Sequence, residues 1–407
     1  MTLAFAALRS PASRGQIAIA ALGLVQILNW GGSYYLPAVL GKHIVANTGW
    51  SYAIVIGGLS IGLGISGLSS IFVGRRIEMH GGRPVLVVAS LVLALGQMLL
   101  GMATGPVSYV VAWIVLGIGM GAGLYDAAFA TLGRLYGQGA RRAISTLTLW
   151  SGFASTVTWP LSAFLVERIG WRGTCYAYAV LELLVCVPLI LAFIPARGDG
   201  FAAGAAASTT APAEPPPLDR ARATFALLAG ILAIGATSAA VMSVHMLTFF
   251  EAGGLTEAQA VATGTLLGPA QVFTRLIERM IGNRLHPIWV LTIAIVLMTA
   301  GLLFTAMGAG IAVIAVVSYG AGAGIWSIAR GTLPLALFGS KGYAALMGRL
   351  AMPMLICQAV SPSIGALLVE RAGASTTILI LAGAMALCFL GILGLRRIAA
   401  RTIAGVV

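Results

Sequence analysis

The chain has 407 residues, is 59% hydrophobic and only 9% charged, and carries a formal net charge of +13. A soluble domain of this size is about a quarter charged, so the composition excludes a soluble enzyme or binding module. With a mean hydropathy of +0.99 the chain reads as an all-α polytopic membrane protein. Its 53 glycines suit helices that pack closely in lipid.

A bilayer core takes about 20 apolar residues per helix. Runs of this kind fall at 16–40, 51–74, 84–104, 106–133, 143–166, 172–195, 222–250, 257–281, 287–308, 310–337, 343–369 and 374–395. None alternates with period two, and backbone groups in lipid must be satisfied internally, so these are twelve helical spans. The longest break, 196–221, "ARGDGFAAGAAASTTAPAEPPPLDRA", reads as a flexible linker. It divides the chain into six-helix bundles at 1–195 and 222–407.

With the N-terminus placed inside, the tails and the loops after even-numbered spans hold 18 of the 24 basic residues. The other side holds Lys42, Arg168, Arg172 and Arg371, and Arg275 and Arg330 fall within spans. This asymmetry predicts a multi-pass protein of the inner membrane with both termini cytoplasmic. It also accounts for the net charge without a nucleic-acid partner. The partners expected are the bilayer, a small-molecule substrate and protons, and the chain is expected to act as a monomer.

In chain order, span 1 offers Asn29, Trp30, Tyr34 and Tyr35 as cavity-lining or packing residues. The turn after span 2, "GRRIEMHGGRP", crowds Arg75, Arg76, Glu78, His80 and Arg83 into nine positions. Beyond anchoring, an acid in such a turn can meet a helix N-terminus or an arginine of the 4–5 loop, where Arg141 and Arg142 lie. That makes the turn a candidate gate. Span 4 carries Asp126. Span 6 carries Glu182, expected to bond a neighbouring helix rather than to carry protons. The cysteines (Cys175, Cys186, Cys357, Cys388) lie in apolar runs and read as packing residues. His245 is the one histidine deep in a span and is a candidate proton carrier or a satisfied packing histidine. Arg275 in span 8 either binds an anion through its planar fork or serves a structural pair. Arg330 in span 10 has the same alternatives. Trp326 and Gln358 complete the cavity candidates. No metal-spaced cluster, cofactor motif or Walker-type GxxxxGK[ST] is present, so neither an enzyme nor a direct ATP motor is expected.

The halves repeat. "GIGMGAGLYDAAFATLGRLYG" of span 4 matches "YGAGAGIWSIARGTLPLALFG" of span 10, and "WPLSAFLVERIGW" of span 5 matches "SPSIGALLVERAGA" of span 11. Transporters are commonly built from such repeats, with the substrate site near the midplane.

The turn after span 2 resembles the signature of the major facilitator superfamily. Gly74, Glu78, Gly82 and Arg83 fill its places, with Glu where Asp is usual. The resemblance extends over nearly the whole chain in span number, linker and orientation. It implies alternating access, with spans 1, 4, 7 and 10 lining the pathway, so that Asp126 and Arg330 would face each other as a gate or as a proton site and a substrate site. "GIGMGAGLYDAAFATLGRLYGQGARRAI" and "VHMLTFFEAGGLTEAQAVATGTLLGPAQVFTR" further resemble the monocarboxylate-porter and oxalate/formate branch. That branch places a His in span 7 and an Arg in span 8, matched by His245 and Arg275. Gln271 stands where an acid often precedes that Arg, and the exchangers' span-11 lysine has no match. Drug–proton antiporters are less similar, since their span-4 Arg would fall near Trp113. The expectation is a secondary transporter of a small organic anion, coupled to H⁺ or to anion exchange. Efflux of a drug or metabolite is the alternative, and an integral-membrane enzyme is the reading from another class.

Overall fold

Twelve spans are what the apolar runs build. The computed structural model describes residues 11–196, 218–281 and 284–403, so the expected linker falls mostly outside the described residues. Span 1 is Pro11–Gly31 with Leu36–Thr48, span 2 Tyr52–His80, span 3 Gly82–Gly101, and span 4 Pro106–Gly123 with Tyr125–Tyr136. Span 5 starts at Ala140–Gly152 and runs into the long helix Ala154–Leu181. Gly170, at φ +70 and ψ 175, turns that helix from span 5 into span 6; a left-handed φ of this kind is cheap only for glycine. A π-helical turn, Glu182–Cys186, and Val187–Phe193 finish span 6. Spans 7 to 12 are Leu218–Ala252, Glu257–Gly264 with Leu267–Ile281, Pro287–Ala306, Ala312–Phe338, Tyr343–Ala372 and Ala374–Ile403. Among the described residues nine continuous segments are long and apolar enough to cross a bilayer. One of them, Pro106–Phe193, carries spans 4, 5 and 6, and span 8 is split into pieces too short to qualify alone.

The breaks follow from local chemistry. Span 1 opens after Gly31–Gly32, and its second piece restarts with Pro37 in its first turn, where proline's missing N–H costs nothing. Span 8 breaks at Thr265–Leu266, just before Pro269. Span 4 breaks at Leu124, whose backbone is extended. The carbonyl of Gly123 is then at a helix end, and in lipid it needs a donor. Two side chains of span 1 supply it: Gln26 Nε2 donates at 2.6 Å and Asn29 Nδ2 at 3.1 Å.

The chain divides into two compact units, residues 1–211 with Ser340–Met352, and residues 212–339 with 353–407. In the first, Tyr109 of span 4 donates its hydroxyl to the Val55 carbonyl of span 2 at 2.7 Å, and Trp113 beside it is buried. In the second, spans 8 and 10 touch backbone to backbone. A Cβ on Gly324 would lie 2.6 Å from the Gln271 carbonyl oxygen, and one on Gly320 2.9 Å from that of Leu267.

Ser340–Met352, the start of span 11, belongs to the first unit through a set of glycine contacts. A Cβ on Gly348 would fall 2.2 Å from the Ser70 carbonyl oxygen, and one on Gly74 2.5 Å from that of Ala344. Ser70 Oγ donates to the Gly348 carbonyl at 2.8 Å, and the Tyr343 ring lies on Gly133. The turn after span 2 closes the arrangement. Glu78 Oε2 accepts from the Ala344 backbone N–H at 3.2 Å, in the first turn of span 11, while Arg134 donates to the Glu78 carbonyl. Gly82 packs on Thr131. Arg83 and Arg141 are half-buried and Arg142 is exposed. Glu78, Arg134, Ser340 and Lys341 line a cavity of about 180 Å³.

Gly348→Val should therefore destabilise the protein by about 1–3 kcal/mol, the usual cost of overpacking. Gly64→Val, in span 2 with open space around it, should not; thermal unfolding in detergent compares the two. Glu78→Gln keeps shape but removes the charge that faces a helix N-terminus, a contribution of about 0.3–1 kcal/mol. Transport should fall while insertion is unchanged, and a wild-type transport rate would rule the carboxylate out of the candidate gate.

Candidate functional site

In the first unit the two broken spans meet. Span 1 loses helical form from Gly32 to Tyr35, and span 4 restarts at Tyr125. Asp126 is half-buried in the first turn of that restarted helix, where the partial positive charge of the N–H groups favours an anion. The residue before it, Tyr125, joins a cluster of rings centred on Trp30. Trp30 lies 4.9 Å from Tyr125, 5.1 Å from Tyr34 and 5.8 Å from Tyr35 between ring centroids, and Tyr34 and Tyr35 meet edge to face at 5.3 Å. Trp30 Nε1 donates to Gln26 Oε1 at 3.3 Å, which orients the indole. Asn29 is 1% exposed, so it faces span 4 rather than open space.

In the second unit, Arg275 is 6% exposed and its Nε donates to the Gly324 carbonyl of span 10 at 3.4 Å; Ser327 Oγ donates to the same oxygen at 2.7 Å. Arg330 is 7% exposed. Its guanidinium lies 5.7 Å from the Trp326 ring centroid, and Nη1 reaches Met354 Sδ at 3.8 Å. Trp326 is itself buried against Gly235. Six residues of helix, a rise of about 9 Å, separate Gly324 from Arg330. The unit thus places two guanidinium groups along one helix. Gln271 and Gln358 are half-buried. His245 stands apart: its Nε2–H donates to the Pro362 carbonyl at 3.0 Å, and Gly365 leaves room for the ring. That bond ties span 7 to span 11 and fixes the tautomer.

Sequence reasoning missed Glu278. It is 7% exposed, three residues after Arg275 and on the same helix face. The signal was available: along Leu267–Ile281 the inward positions include Gln271, Thr274, Arg275 and Glu278, while Phe273, Leu276, Ile277 and Met280 are exposed. An acid one turn before Arg275 is absent, but one stands on its other side. Among the described residues no group of His, Cys, Asp and Glu could hold a metal ion.

Comparison with known proteins places this geometry. The model of the Major Facilitator Superfamily matches residues 22–348. The purine ribonucleoside efflux pump NepI of Shigella sonnei is 24% identical over 161 residues, and NepI of Escherichia coli K12 is equally similar. The match spans 40% of this chain and 40% of the length of those relatives. Among solved structures, the proton:xylose symporter XylE superposes with a TM-score of 0.70 at 12% identity, covering 95% of this chain and 96% of that one. The fucose:proton symporter FucP of E. coli gives 0.70 at 16%, covering 93% and 98%, and the human organic anion transporter TETRAN gives 0.69 at 15%, covering 93% and 99%. These likenesses show the fold. With twelve spans in two six-span repeats and a family match over most of its length, the chain belongs to the Major Facilitator Superfamily and is a transporter rather than an enzyme.

Proposed function

We propose that this transporter moves a small organic anion, a carboxylate above all, across the cytoplasmic membrane by alternating access, driven by H⁺ or by an exchanged anion. The observation that carries the reading is the pair of buried guanidinium groups, Arg275 and Arg330, on neighbouring spans of one unit. A membrane-embedded charge is expensive and is kept for a partner or a substrate. Arg presents two parallel donors that match a carboxylate. Glu278, on the Arg275 face, supplies the counter-charge that suits a site alternately empty and filled. The branch resemblance through His245 and Arg275 supports the same class. Asp126, in the first turn of the restarted helix of span 4, is the proposed proton carrier, and Glu78 with its neighbours is the proposed cytoplasmic gate. The surplus of basic residues on one face supports cytoplasmic termini in an inner membrane, and the protein is taken to work as a monomer.

One observation favours a second reading. The ring cluster of Trp30, Tyr34, Tyr35 and Tyr125 and the partial likeness to a purine ribonucleoside efflux pump support proton-driven efflux of a planar metabolite. The two readings part at Arg275, which the anion reading requires and the efflux reading does not.

Arg275→Lys keeps the charge but loses the fork. One charge-assisted hydrogen bond contributes about 1.5–3 kcal/mol, so binding should weaken about tenfold or more. Uptake of labelled mono- and dicarboxylates into proteoliposomes measures this, and wild-type affinity in the variant would make Arg275 structural. Asp126→Asn should abolish accumulation driven by a pH gradient while leaving downhill exchange. Accumulation at the wild-type level would remove Asp126 from coupling.

A further inference from the structure

Glu182 is not accounted for by the sites above. It lies in the middle of span 6, is 1% exposed, and neither carboxyl oxygen has a hydrogen-bond partner. It opens the π-helical turn Glu182–Cys186. Such turns are rare and collect at functional places. Ser90 of span 3 and Cys186, one turn on, are the polar side chains beside it, and the Ser90 hydroxyl is also buried without a partner. The neighbouring-helix contact that the sequence reading expects is with Ser90 of span 3, which approaches the carboxyl without completing a hydrogen bond.

Among the described residues of the elements packed against Glu182, no Lys, Arg or His lies within a turn of it or of Ser90. The π-helical turn packs on the first helix of span 1, on span 3 and on the rest of span 6. On those elements Tyr178 and Cys186 are the titratable groups within a turn of Glu182, and span 3 presents no titratable group within a turn of Ser90. Arg83 and Arg172 are seven residues from Ser90 and ten from Glu182, roughly 10 and 15 Å along their helices; Arg14 is near the start of span 1. An unpaired carboxylate is costly in such a place, and a bound proton is the simplest partner that removes the cost.

The acid does not stand alone. Tyr178 is one turn earlier on the same helix face; its hydroxyl pairs with Ser162 Oγ at 2.7 Å and donates to the Thr158 carbonyl at 3.3 Å. Gln97, two turns after Ser90 on span 3, donates to the Gly32 carbonyl at 3.0 Å, and its own Oε1 has no partner. Gly32 is where these meet: a Cβ there would lie 2.3 Å from Gln97 Nε2 and 3.0 Å from the Tyr178 ring. Directly after Gly32, span 1 loses its helix beside Tyr34 and Tyr35. A buried polar seam thus runs from Ser90 and Glu182, past Tyr178 and Gln97, to the break in span 1.

We propose that Glu182 is a second proton-binding group of this transporter, loading and releasing its proton during the cycle along the seam that ends at the break in span 1. The inference rests on the proton-coupled reading given above, in which Asp126 is the first such group.

The test needs no substrate. Infrared difference spectra of the purified protein in lipid, taken between acid and alkaline buffer, should contain the C=O stretch of a protonated carboxylic acid. That band should be missing in Glu182→Gln, present in Asp126→Asn, and restored at a shifted frequency in Glu182→Asp, which also serves if the glutamine variant fails to fold. In proteoliposomes, Glu182→Gln should lose the pH dependence of transport that the wild type shows while retaining downhill exchange. No band assignable to Glu182, a band unchanged over the whole pH range, or a wild-type pH profile in Glu182→Gln would each overturn the proposal. Because the band is read without substrate, its presence alongside an absence of carboxylate flux would sink the anion reading alone. Proton-driven carboxylate flux without the band would sink the role of Glu182 alone.

Discussion

A backbone carbonyl inside a bilayer has no water to bond, and much of the arrangement of this transporter follows from how two carbonyls take side-chain donors. Gly123 and Gly324 occupy equivalent places in the sequence repeat. The first accepts from Gln26 and Asn29, which ties span 1 to span 4. The second accepts from Arg275, which ties span 8 to span 10, and from Ser327 of its own helix. Each cross-span bond spends a polar side chain on holding two spans in register. In one unit the donors are neutral amides and the freed backbone permits a break. In the other the helix stays continuous and the donor is a guanidinium, so the same structural duty leaves a charge in the membrane.

This difference divides the chemistry between the units. The first presents aromatic rings and an acid at a helix N-terminus; the second presents two cations and an inward-facing Glu278. An acid at a helix start and a guanidinium fork suit opposite charges. The repeat thus supplied one scaffold twice, and substitution at a few equivalent positions, Asp126 against Ser327 and Phe129 against Arg330, made its halves unlike.

Most of the spans were legible in the sequence because each is an apolar run that nothing but a membrane can bury. The breaks were less so. Gly31–Gly32 with Pro37, and Pro269 after Thr265, are signals of interruption, but hydropathy averages over them. The seat of Ser340–Met352 on the first unit was not legible at all. It rests on Gly74 and Gly348 lying against backbone, and nothing periodic marks these two out from the chain's 53 glycines. Polar residues were found readily, since each is conspicuous in an apolar chain, yet their partners were not. Asn29 turned to a carbonyl, His245 to the proline carbonyl of span 11, and Glu182 toward Ser90 of span 3 without a completed hydrogen bond. Sequence spacing gives the face of a helix and says little about which neighbour that face meets. Glu278 was overlooked for the opposite reason: it lies near the basic turn that ends span 8 and looks like part of it.

The glycine seat of span 11 has a thermodynamic character of its own. Ordering long side chains at an interface costs rotamer freedom, up to about 2 kcal/mol for the most flexible. At Gly74 and Gly348 there are no rotamers to order, and one serine and one carboxylate provide the directional bonds. Forming or parting such a contact exchanges dispersion and a few hydrogen bonds while leaving side-chain entropy almost untouched. A joint of that kind is short-ranged, and its balance shifts little with temperature through the side-chain entropy that dominates softer interfaces.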